Sequence, residues 1–218
     1  MSKSINERIE QCGLVAVLIV DDAAQAVPLA RALLAGGVNA MELTLRTDAA
    51  LDALKSVKRD VPDMLAGVGT VLTCDQLDSI KTLGADFAVA PGMNPAVVSH
   101  ANDIGIPFAP GVCTPSDIER AVELGCRLLK FFPAEPSGGL NYLKNIAAPY
   151  AHLGLKYIPL GGLNMKNLGE YMSSSLVAAV GGTWIAPRDA IQAGDWNAIA
   201  QNAKQAVERI REIRKAKV

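Results

Sequence analysis

The most informative absence in this 218-residue sequence is that of clustered metal ligands. It has only two histidines, His100 and His152, and four scattered cysteines with no CxxC pair. Structural and catalytic zinc sites need cysteines and histidines at short, regular spacings. The sequence therefore predicts no metal site. Its cysteine usage is that of a reduced protein, with no sign of a disulfide framework.

The sequence also lacks an excess of charge and any long apolar run. It contains 21 Lys and Arg against 22 Asp and Glu, so nothing favours nucleic acid or an anionic membrane as a partner, and an anionic ligand needs local groups to hold it. The first residues, MSKSINERIEQCG, resemble neither a signal peptide nor a transit peptide. No uninterrupted apolar run reaches the roughly 20 residues of a membrane span. We expect a cytoplasmic protein.

What the sequence does contain is a recurring unit in which a helical pattern is followed by a glycine and a short apolar strand. The glycine and strand appear in GGVNAMELT, GADFAVAPG and GCRLLKFFP. Glycine just past a helix end is the usual left-handed C-cap. In TPSDIERAVELG the helix start is also visible, with Thr114 as N-cap, Pro115 at the first helical position and Asp117 in the first turn.

Eight apolar strand candidates follow one another along the chain. They cover residues 14–20, 38–44, 63–70, 86–90, 106–110, 126–132, 155–160 and 175–181. Strands that alternate with helices predict an α/β fold with a parallel sheet, and eight such units predict a closed (β/α)8 TIM barrel. We expect a single domain over residues 1–218 with a short N-terminal helix. A doubly wound open sheet is the alternative, although it usually has fewer strands.

In such barrels the active site lies at the carboxyl ends of the strands. The residues at these predicted ends are mostly polar residues, prolines and glycines: Glu42, Thr44, Arg46, Gly69, Thr70, Pro91, Gly92, Pro110, Gly111, Lys130, Gly161, Gly162, Gly181, Gly182 and Thr183. Side chains alternate along a strand, so Glu42, Thr44 and Arg46 share one face, while the apolar residues between them share the other. We expect the polar face to point at the barrel mouth. A structural Glu–Arg pair at the rim is the alternative.

The segment CRLLKFFPAE, residues 126–135, places Lys130 inside an apolar run. Burying an unpaired ammonium is costly, and desolvation lowers the pKa of a lysine. A lysine that becomes neutral in this way can attack a carbonyl to form a Schiff base. Glu42 would then be a suitable general base, and Arg46 has the planar fork that suits a carboxylate. A side chain that reaches water or closes an ion pair is the alternative.

Two loops after the predicted seventh and eighth strands, PLGGLN and VGGTWIAP, contain paired glycines. Barrels frequently bind phosphate in these two loops, close to a helix N-terminus. Paired glycines also occur in ordinary tight turns, so neither loop is decisive alone. Together they predict a sugar-phosphate ligand.

Four segments, AGGVNAMELTLRT, AGVGTVLT, APGVCTPSDIERAVELGCRLLKFFPAE and VGGTWIAP, resemble those of the bacterial 2-keto-3-deoxy-6-phosphogluconate (KDPG) aldolases and the related 4-hydroxy-2-oxoglutarate (KHG) aldolases. The resemblance implies a class I aldolase on a (β/α)8 barrel, without metal or other cofactor and usually a homotrimer. Its expected role is to split KDPG, a keto-acid sugar phosphate of the Entner–Doudoroff pathway, into pyruvate and glyceraldehyde 3-phosphate. Cleavage of 4-hydroxy-2-oxoglutarate to pyruvate and glyoxylate is a second expected activity.

The resemblance also implies a role for each site residue. Lys130 would form the Schiff base, and Glu42 would be the general base, acting through a water molecule. The pyruvate side of the pocket would be formed by Arg46, Thr70, Pro91 and Phe132. The phosphate would be bound by Gly161, Gly162, Gly182 and Thr183.

Two positions depart from the common family pattern. Leu160 stands where many members have a threonine that faces the hydroxylated part of the substrate, so the related galactonate epimer is an alternative substrate. Thr183 replaces a common serine and keeps the hydroxyl group. Outside aldolase chemistry, a sugar-phosphate isomerase, epimerase or decarboxylase and a non-catalytic sugar-phosphate binder remain alternatives on the same barrel.

Overall fold

The structure is a computed structural model that describes residues 4–216, so residues 1–3 and 217–218 of the predicted domain lie outside the described residues. Short strands alternate with helices along this part of the chain. The strands are β1 (Leu14–Leu18), β2 (Ala40–Thr44), β3 (Leu65–Gly69), β4 (Ala88–Val89), β5 (Phe108–Ala109), β6 (Gly111–Val112), β7 (Leu128–Phe131), β8 (Lys156–Pro159) and β9 (Val180–Gly182).

The α-helices lie before, between and after these strands, with none between β5 and β6. They are α1 (Ile5–Cys12), α2 (Ala26–Ala35), α3 (Ala50–Asp60), α4 (Cys74–Thr82), α5 (Pro95–Asp103), α6 (Pro115–Glu123), α7 (Gly139–Ala147), α8 (Leu168–Met172), α9 (Arg188–Ala193) and α10 (Trp196–Lys215). Within residues 4–216, no helix is long and apolar enough to cross a membrane.

All strand pairs are parallel, which confirms the α/β class. One sheet has the strand order β5-β4-β3-β2-β1-β9, and the other has the order β6-β7-β8. Each of the eight predicted strand regions overlaps one strand, and most of these strands are shorter than predicted. The fifth region, 106–110, contains only β5; β6 was not predicted and begins just past Pro110, a residue that has no N–H to donate to a ladder. The eighth is irregular until β9, with one isolated parallel bridge between Tyr157 and Val177.

The strands separate two apolar layers. The outer layer contains the buried faces of the helices together with outward strand residues such as Met41, Leu43 and Leu129. The inner layer contains the strand side chains that point to the opposite side, including Val15, Leu65, Phe87, Leu128 and Ile158. Successive residues of a strand point to opposite layers, as the alternating pattern of the sequence predicts. This alternation fixes which side chains near the strand ends point inward.

Helix α1 lies at the amino ends of the strands. Its N-cap Ser4 and Glu7 form a capping box, and Gly13 ends it in the left-handed conformation with φ of 68°. Ile9 packs into the inner layer. The amino end is therefore covered by apolar contacts, and the polar residues are left for the opposite end.

The predicted start of α6 is confirmed. The Thr114 hydroxyl accepts a hydrogen bond from the backbone N–H of Asp117, and the Asp117 carboxylate accepts one from the N–H of Thr114. Pro115 occupies the first helical position. Gly125, just past the helix, has φ of 83°, as a glycine C-cap requires.

Candidate active site

A cavity of about 180 Å³ lies at the carboxyl ends of the strands. Leu160 and every residue to which the family resemblance gave a role line it: Glu42, Arg46, Thr70, Pro91, Lys130, Phe132, Gly161, Gly162, Gly182 and Thr183. The other strand-end candidates Gly69, Gly92, Pro110 and Gly111 are not among its lining residues. The sequence did not assign a role to four further lining residues, Val17, Thr44, Leu163 and Gly181. The structure thus brings together side chains from strands that are distant in the chain.

The floor of the cavity carries an ion pair. Lys130 Nζ donates a hydrogen bond to Glu42 Oε1 at 3.0 Å, and the two residues are only 6% and 2% exposed. No other charged residue is buried among residues 4–216. The inward orientation predicted for Lys130 is correct, and the ion pair named as the alternative is also present. Glu42 is therefore within reach of a proton on the amine.

The strand around Lys130 explains this position. Leu128 and Phe132 belong to the inner layer, whereas Leu129 and Phe131 belong to the outer one. The Lys130 amine lies 5.7 Å from the centroid of the Phe132 ring, a distance at which a cation is attracted to the ring face. Its backbone N–H donates to the carbonyl of Pro110 at 2.9 Å. The amine is thus held against an aromatic wall of the cavity.

Glu42 has room for its carboxylate because the neighbouring strand carries a glycine. Glu42 on β2 is in register with Gly67 on β3. A Cβ atom added at Gly69, two residues further along, would overlap the Glu42 carboxylate. Two residues beyond Glu42, Thr44 is also buried, and its hydroxyl donates to the carbonyl of Leu18 at 2.8 Å. Thr44 is therefore tied to the main chain.

The rim of the cavity contains Arg46, Thr70 and Pro91. Arg46 is exposed, and in the described part of the chain no ion pair joins it to Glu42, so the structural Glu–Arg pair considered above is absent. Thr70 has φ of 60°, the only non-glycine residue with positive φ among residues 4–216. This left-handed conformation costs a threonine about 1–3 kcal/mol and is concentrated at functional sites.

The predicted phosphate loops form the opposite wall. Gly161 and Gly162 have φ of 95° and 85°, where glycine is strongly favoured. The carbonyl of Gly162 accepts hydrogen bonds from the side-chain amides of Asn164 at 3.1 Å and Asn167 at 3.2 Å. On the second loop, a Cβ at Gly181 would lie 2.7 Å from Leu160 Cγ. The first loop is therefore a tight turn, and the second packs closely against Leu160.

Sequence reasoning missed the residues that support the first glycine loop. Asn164 and Asn167 could have been noticed, because asparagine often bonds to nearby backbone in turns. Glu135 and Tyr171 gave no such signal. The Tyr171 hydroxyl donates to Glu135 Oε1 at 2.5 Å. Burial, followed by this hydrogen bond, raises the pKa of Tyr171, so the phenol remains a donor.

The polar side chains of the cavity differ in kind from one another. In the described residues, no group of three or more His, Cys, Asp or Glu side chains comes together. The arrangement instead offers an amine beside a carboxylate, an exposed guanidinium and two glycine-rich loops. Such a set can form an imine, move a proton beside it and bind anionic groups.

Comparisons with known proteins give the chain its family. The family model of the KDPG and KHG aldolases matches residues 5–202. The 2-dehydro-3-deoxy-phosphogluconate aldolase of Pseudoalteromonas atlantica is 43% identical over 94% of this chain and 94% of its own length. The KHG/KDPG aldolase of Escherichia coli is 39% identical over 89% and 91%.

Solved structures agree with the sequence comparison. The crystal structure of KDPG aldolase from Legionella pneumophila, with pyruvate captured as a covalent carbinolamine intermediate, superposes with a TM-score of 0.89 and 35% identity. The match covers 94% of this chain and 99% of the other. The chain belongs to the KDPG and KHG aldolase family of carbon–carbon lyases.

Proposed function

We propose that this protein cleaves 2-keto-3-deoxy-6-phosphogluconate to pyruvate and glyceraldehyde 3-phosphate through an imine on Lys130. The observation that carries the proposal is the Lys130–Glu42 pair, the buried lysine and carboxylate in contact at the floor of the cavity. Relatives named KDPG aldolase and KHG/KDPG aldolase support this substrate and 4-hydroxy-2-oxoglutarate as a second one.

The proposed reaction uses the pair twice. Glu42 accepts a proton from the Lys130 ammonium, the freed amine attacks the C2 carbonyl, and Glu42 returns the proton to the C2 hydroxyl, which leaves as water to give an iminium ion. Glu42, through a water molecule, removes the proton of the C4 hydroxyl, and the C3–C4 bond breaks as its electron pair moves toward the iminium nitrogen. The aldehyde leaves. Protonation of the enamine at C3 and hydrolysis then release pyruvate and regenerate the amine.

The remaining lining residues would bind the two ends of the substrate. Arg46 and Thr70 would hold the carboxylate next to the imine, since a guanidinium can bind a carboxylate with two parallel hydrogen bonds. Pro91 and Phe132 would wall the pyruvate methyl group. At the far end the phosphate would be bound by the two glycine loops: Gly161, Gly162, Gly182 and Thr183.

We infer further that the two sheets together form one closed (β/α)8 barrel in a single domain. Pro110 alone separates β5, which pairs with β4, from β6, which pairs with β7. At the other junction, Tyr157 of β8 bridges to Val177, which precedes β9. Backbone bonds from Tyr157 N–H to Leu176 O at 2.8 Å and from Ala178 N–H to Tyr157 O at 3.0 Å support this closure.

We also propose a homotrimer in the cytoplasm, an expectation that comes from the family resemblance. Leu51 and Leu72, which are 36% and 50% exposed, are available for contacts between copies. Light scattering coupled to gel filtration would give the mass in solution, and a monomeric mass at micromolar concentration would contradict the trimer.

Leu160 bears on which C4 epimer is preferred. It is 5% exposed and packs against Gly181, so its isobutyl group offers no hydrogen bond to the C4 hydroxyl. We expect Leu160→Thr to raise the kcat/KM ratio of the gluconate over the galactonate substrate by about 2- to 10-fold, the value of one hydrogen bond. Leu160→Val is the matched control, because it changes volume without adding a hydroxyl. An equal change in both variants would contradict this role.

The decisive experiment is reductive trapping. The protein is treated with borohydride with and without pyruvate, and intact and peptide masses are measured. We expect a reduced pyruvyl adduct on Lys130 only when pyruvate is present. A folded protein that forms no adduct would overturn the aldolase mechanism, and activity on a different sugar phosphate would then favour an isomerase, epimerase or decarboxylase.

A further inference from the structure

The loop after β7, residues 133–138, lies directly beside the first glycine loop. The N–H of Ala134 donates to the carbonyl of Leu160 at 2.7 Å, and the N–H of Glu135 donates to the carbonyl of Gly161 at 3.0 Å. These two bonds join the loop to the first glycine loop just beyond the ends of β7 and β8. The main chain of Glu135 is therefore fixed next to the proposed phosphate site.

The side chain of Glu135 begins at that site as well. A Cβ atom added at Gly162 would lie 2.6 Å from Glu135 Cβ and 2.8 Å from its Cγ. Glu135 is an exposed residue, yet it does not line the cavity. Its carboxylate is instead directed to Tyr171, whose hydroxyl donates to Oε1 at 2.5 Å.

Tyr171 is well suited to hold this carboxylate. It lies on α8, the helix that follows the first glycine loop, and the residue is 0% exposed. A fully packed ring has few alternative rotamers, so its hydroxyl is a fixed donor. The exposed Glu135 side chain would otherwise be free to take several orientations, some of them over Gly162.

A free carboxylate in that place would oppose phosphate binding, because like charges at short range repel strongly where solvent is partly excluded. We propose that Tyr171 is a positioning residue that holds the Glu135 carboxylate away from the Gly161–Gly162 loop and so keeps that loop open to a phosphate dianion. The inference rests on the proposed function and deepens it, since it names what governs selectivity for a phosphorylated keto acid.

The first test is Tyr171→Phe, which removes the hydroxyl and keeps the ring. We expect KM for KDPG to rise about 5- to 20-fold, the effect of one nearby like charge, with kcat changed less than about twofold. The matched substrate is 2-keto-3-deoxygluconate, which has the same carbon chain and no phosphate. Its KM should stay unchanged. An unchanged KM for KDPG, or an equal rise for both substrates, would overturn the proposal.

The second test is charge rescue. Glu135→Gln keeps an oxygen that can accept from Tyr171 and removes the negative charge, so this variant alone should have the wild-type KM or a lower one. In the double variant, the released side chain is neutral. The variant that combines Tyr171→Phe with Glu135→Gln should therefore have a KM for KDPG close to that of the wild type. If the double variant is as impaired as Tyr171→Phe alone, Tyr171 has only a structural role.

A binding measurement separates this proposal from the proposed function. Glycerol 3-phosphate is titrated calorimetrically into the wild type, both single variants and the double variant. If the wild type does not cleave KDPG, the proposed function fails. Weaker glycerol 3-phosphate binding to Tyr171→Phe, restored by Glu135→Gln, would still support the positioning role. Equal binding to all four proteins, or no binding to the wild type, would overturn it.

Discussion

Two lysine–carboxylate pairs of nearly the same length lie on opposite sides of the strands. On the inner side, Lys130 Nζ is 3.0 Å from Glu42 Oε1, and the side chains are 7% and 3% exposed. On the outer side, Lys58 Nζ of α3 is 2.8 Å from Asp86 Oδ2, with exposures of 24% and 19%. Distance alone therefore does not separate a structural pair from the pair that we propose is catalytic.

The surroundings of the two carboxylates do separate them. Asp86 Oδ2 also accepts a hydrogen bond from the N–H of Ala66 at 2.8 Å, so it joins α3 to the sheet. Glu42 faces a cavity, where its carboxylate contacts the Lys130 amine. A buried ion pair often costs more in desolvation than it returns, so its presence is weak evidence for a stabilising role. The position of the inner pair is consistent with the catalytic role that we propose for it.

The largest expected difference comes from removing each amine. Lys130→Met should reduce turnover by on the order of 10⁴- to 10⁶-fold, as for loss of a nucleophile, and should prevent trapping by borohydride. Lys58→Met keeps the same stem length and should leave turnover unchanged. Turnover measured with a coupled pyruvate assay checks both. Retained activity in Lys130→Met would contradict the imine mechanism.

The two substitutions should also differ in stability. Lys130→Met leaves the Glu42 carboxylate buried without its partner, which should lower the free energy of unfolding by about 3–5 kcal/mol. Lys58→Met should cost about 1 kcal/mol or less, because Asp86 keeps its backbone donor and part of its exposure. Urea unfolding measures the difference. Circular dichroism of both variants is needed to verify that the inactive one is folded.

A second comparison changes the carboxylates and keeps their shape. Glu42→Gln should slow hydrogen exchange at the methyl group of bound pyruvate by about 10²- to 10⁴-fold, the usual contribution of a general base. Asp86→Asn keeps an oxygen acceptor for Ala66 and should leave exchange at the wild-type rate. Proton NMR of pyruvate in deuterated buffer gives both rates. Equal rates in the Glu42→Gln variant and the wild type would exclude Glu42 as the base.

A third comparison tests the space around Glu42. Gly69→Ala would place a methyl group in the volume of the Glu42 carboxylate, whereas a Cβ at Gly92, also at a strand end, meets no atom within 4 Å. Displacing a catalytic group by about 1 Å can cost on the order of 10²-fold. We expect a loss of that size in kcat for Gly69→Ala and little change for Gly92→Ala. Equal kcat values in the two variants would show that Glu42 adapts without cost.

Much of the fold followed from local patterns, because each strand and helix carries its own period. The alternation around Lys130 and Glu42 correctly predicted which side chains point inward. Glycine C-caps such as Gly125 correctly marked helix ends. The fifth strand was predicted to end at Pro110, and the short strand β6 that follows it was missed.

The candidate site was predictable only in part. Residues at strand ends could be collected because parallel strands bring those ends together. The Tyr171–Glu135 contact joins a buried phenol on α8 to an exposed loop residue 36 positions earlier, and no sequence spacing encodes it. The strain at Thr70 was equally invisible, since its φ of 60° is imposed by the surrounding main chain.

The smallest expected effect concerns a buried polar group of the outer layer that has no partner. Tyr157 is 0% exposed, and its hydroxyl has no hydrogen-bond partner in the described residues. Burial, with a smaller contribution from Tyr150, raises its pKa from 10.0 to about 12. The neutral phenol therefore favours the folded state fully below pH 10, and this contribution is lost as the pH rises toward 12.

Tyr157→Phe should remove this loss of stability at high pH, raise the free energy of unfolding at pH 7 by about 1 kcal/mol and leave kcat/KM unchanged. Tyr142→Phe is the control, because the Tyr142 hydroxyl donates to Cys113 O at 2.9 Å and its removal should destabilise. The free energies of unfolding are measured in urea. An equal change in the two variants would show that the Tyr157 hydroxyl has a hydrogen-bond partner, as the buried polar groups on the inner side of the strands do.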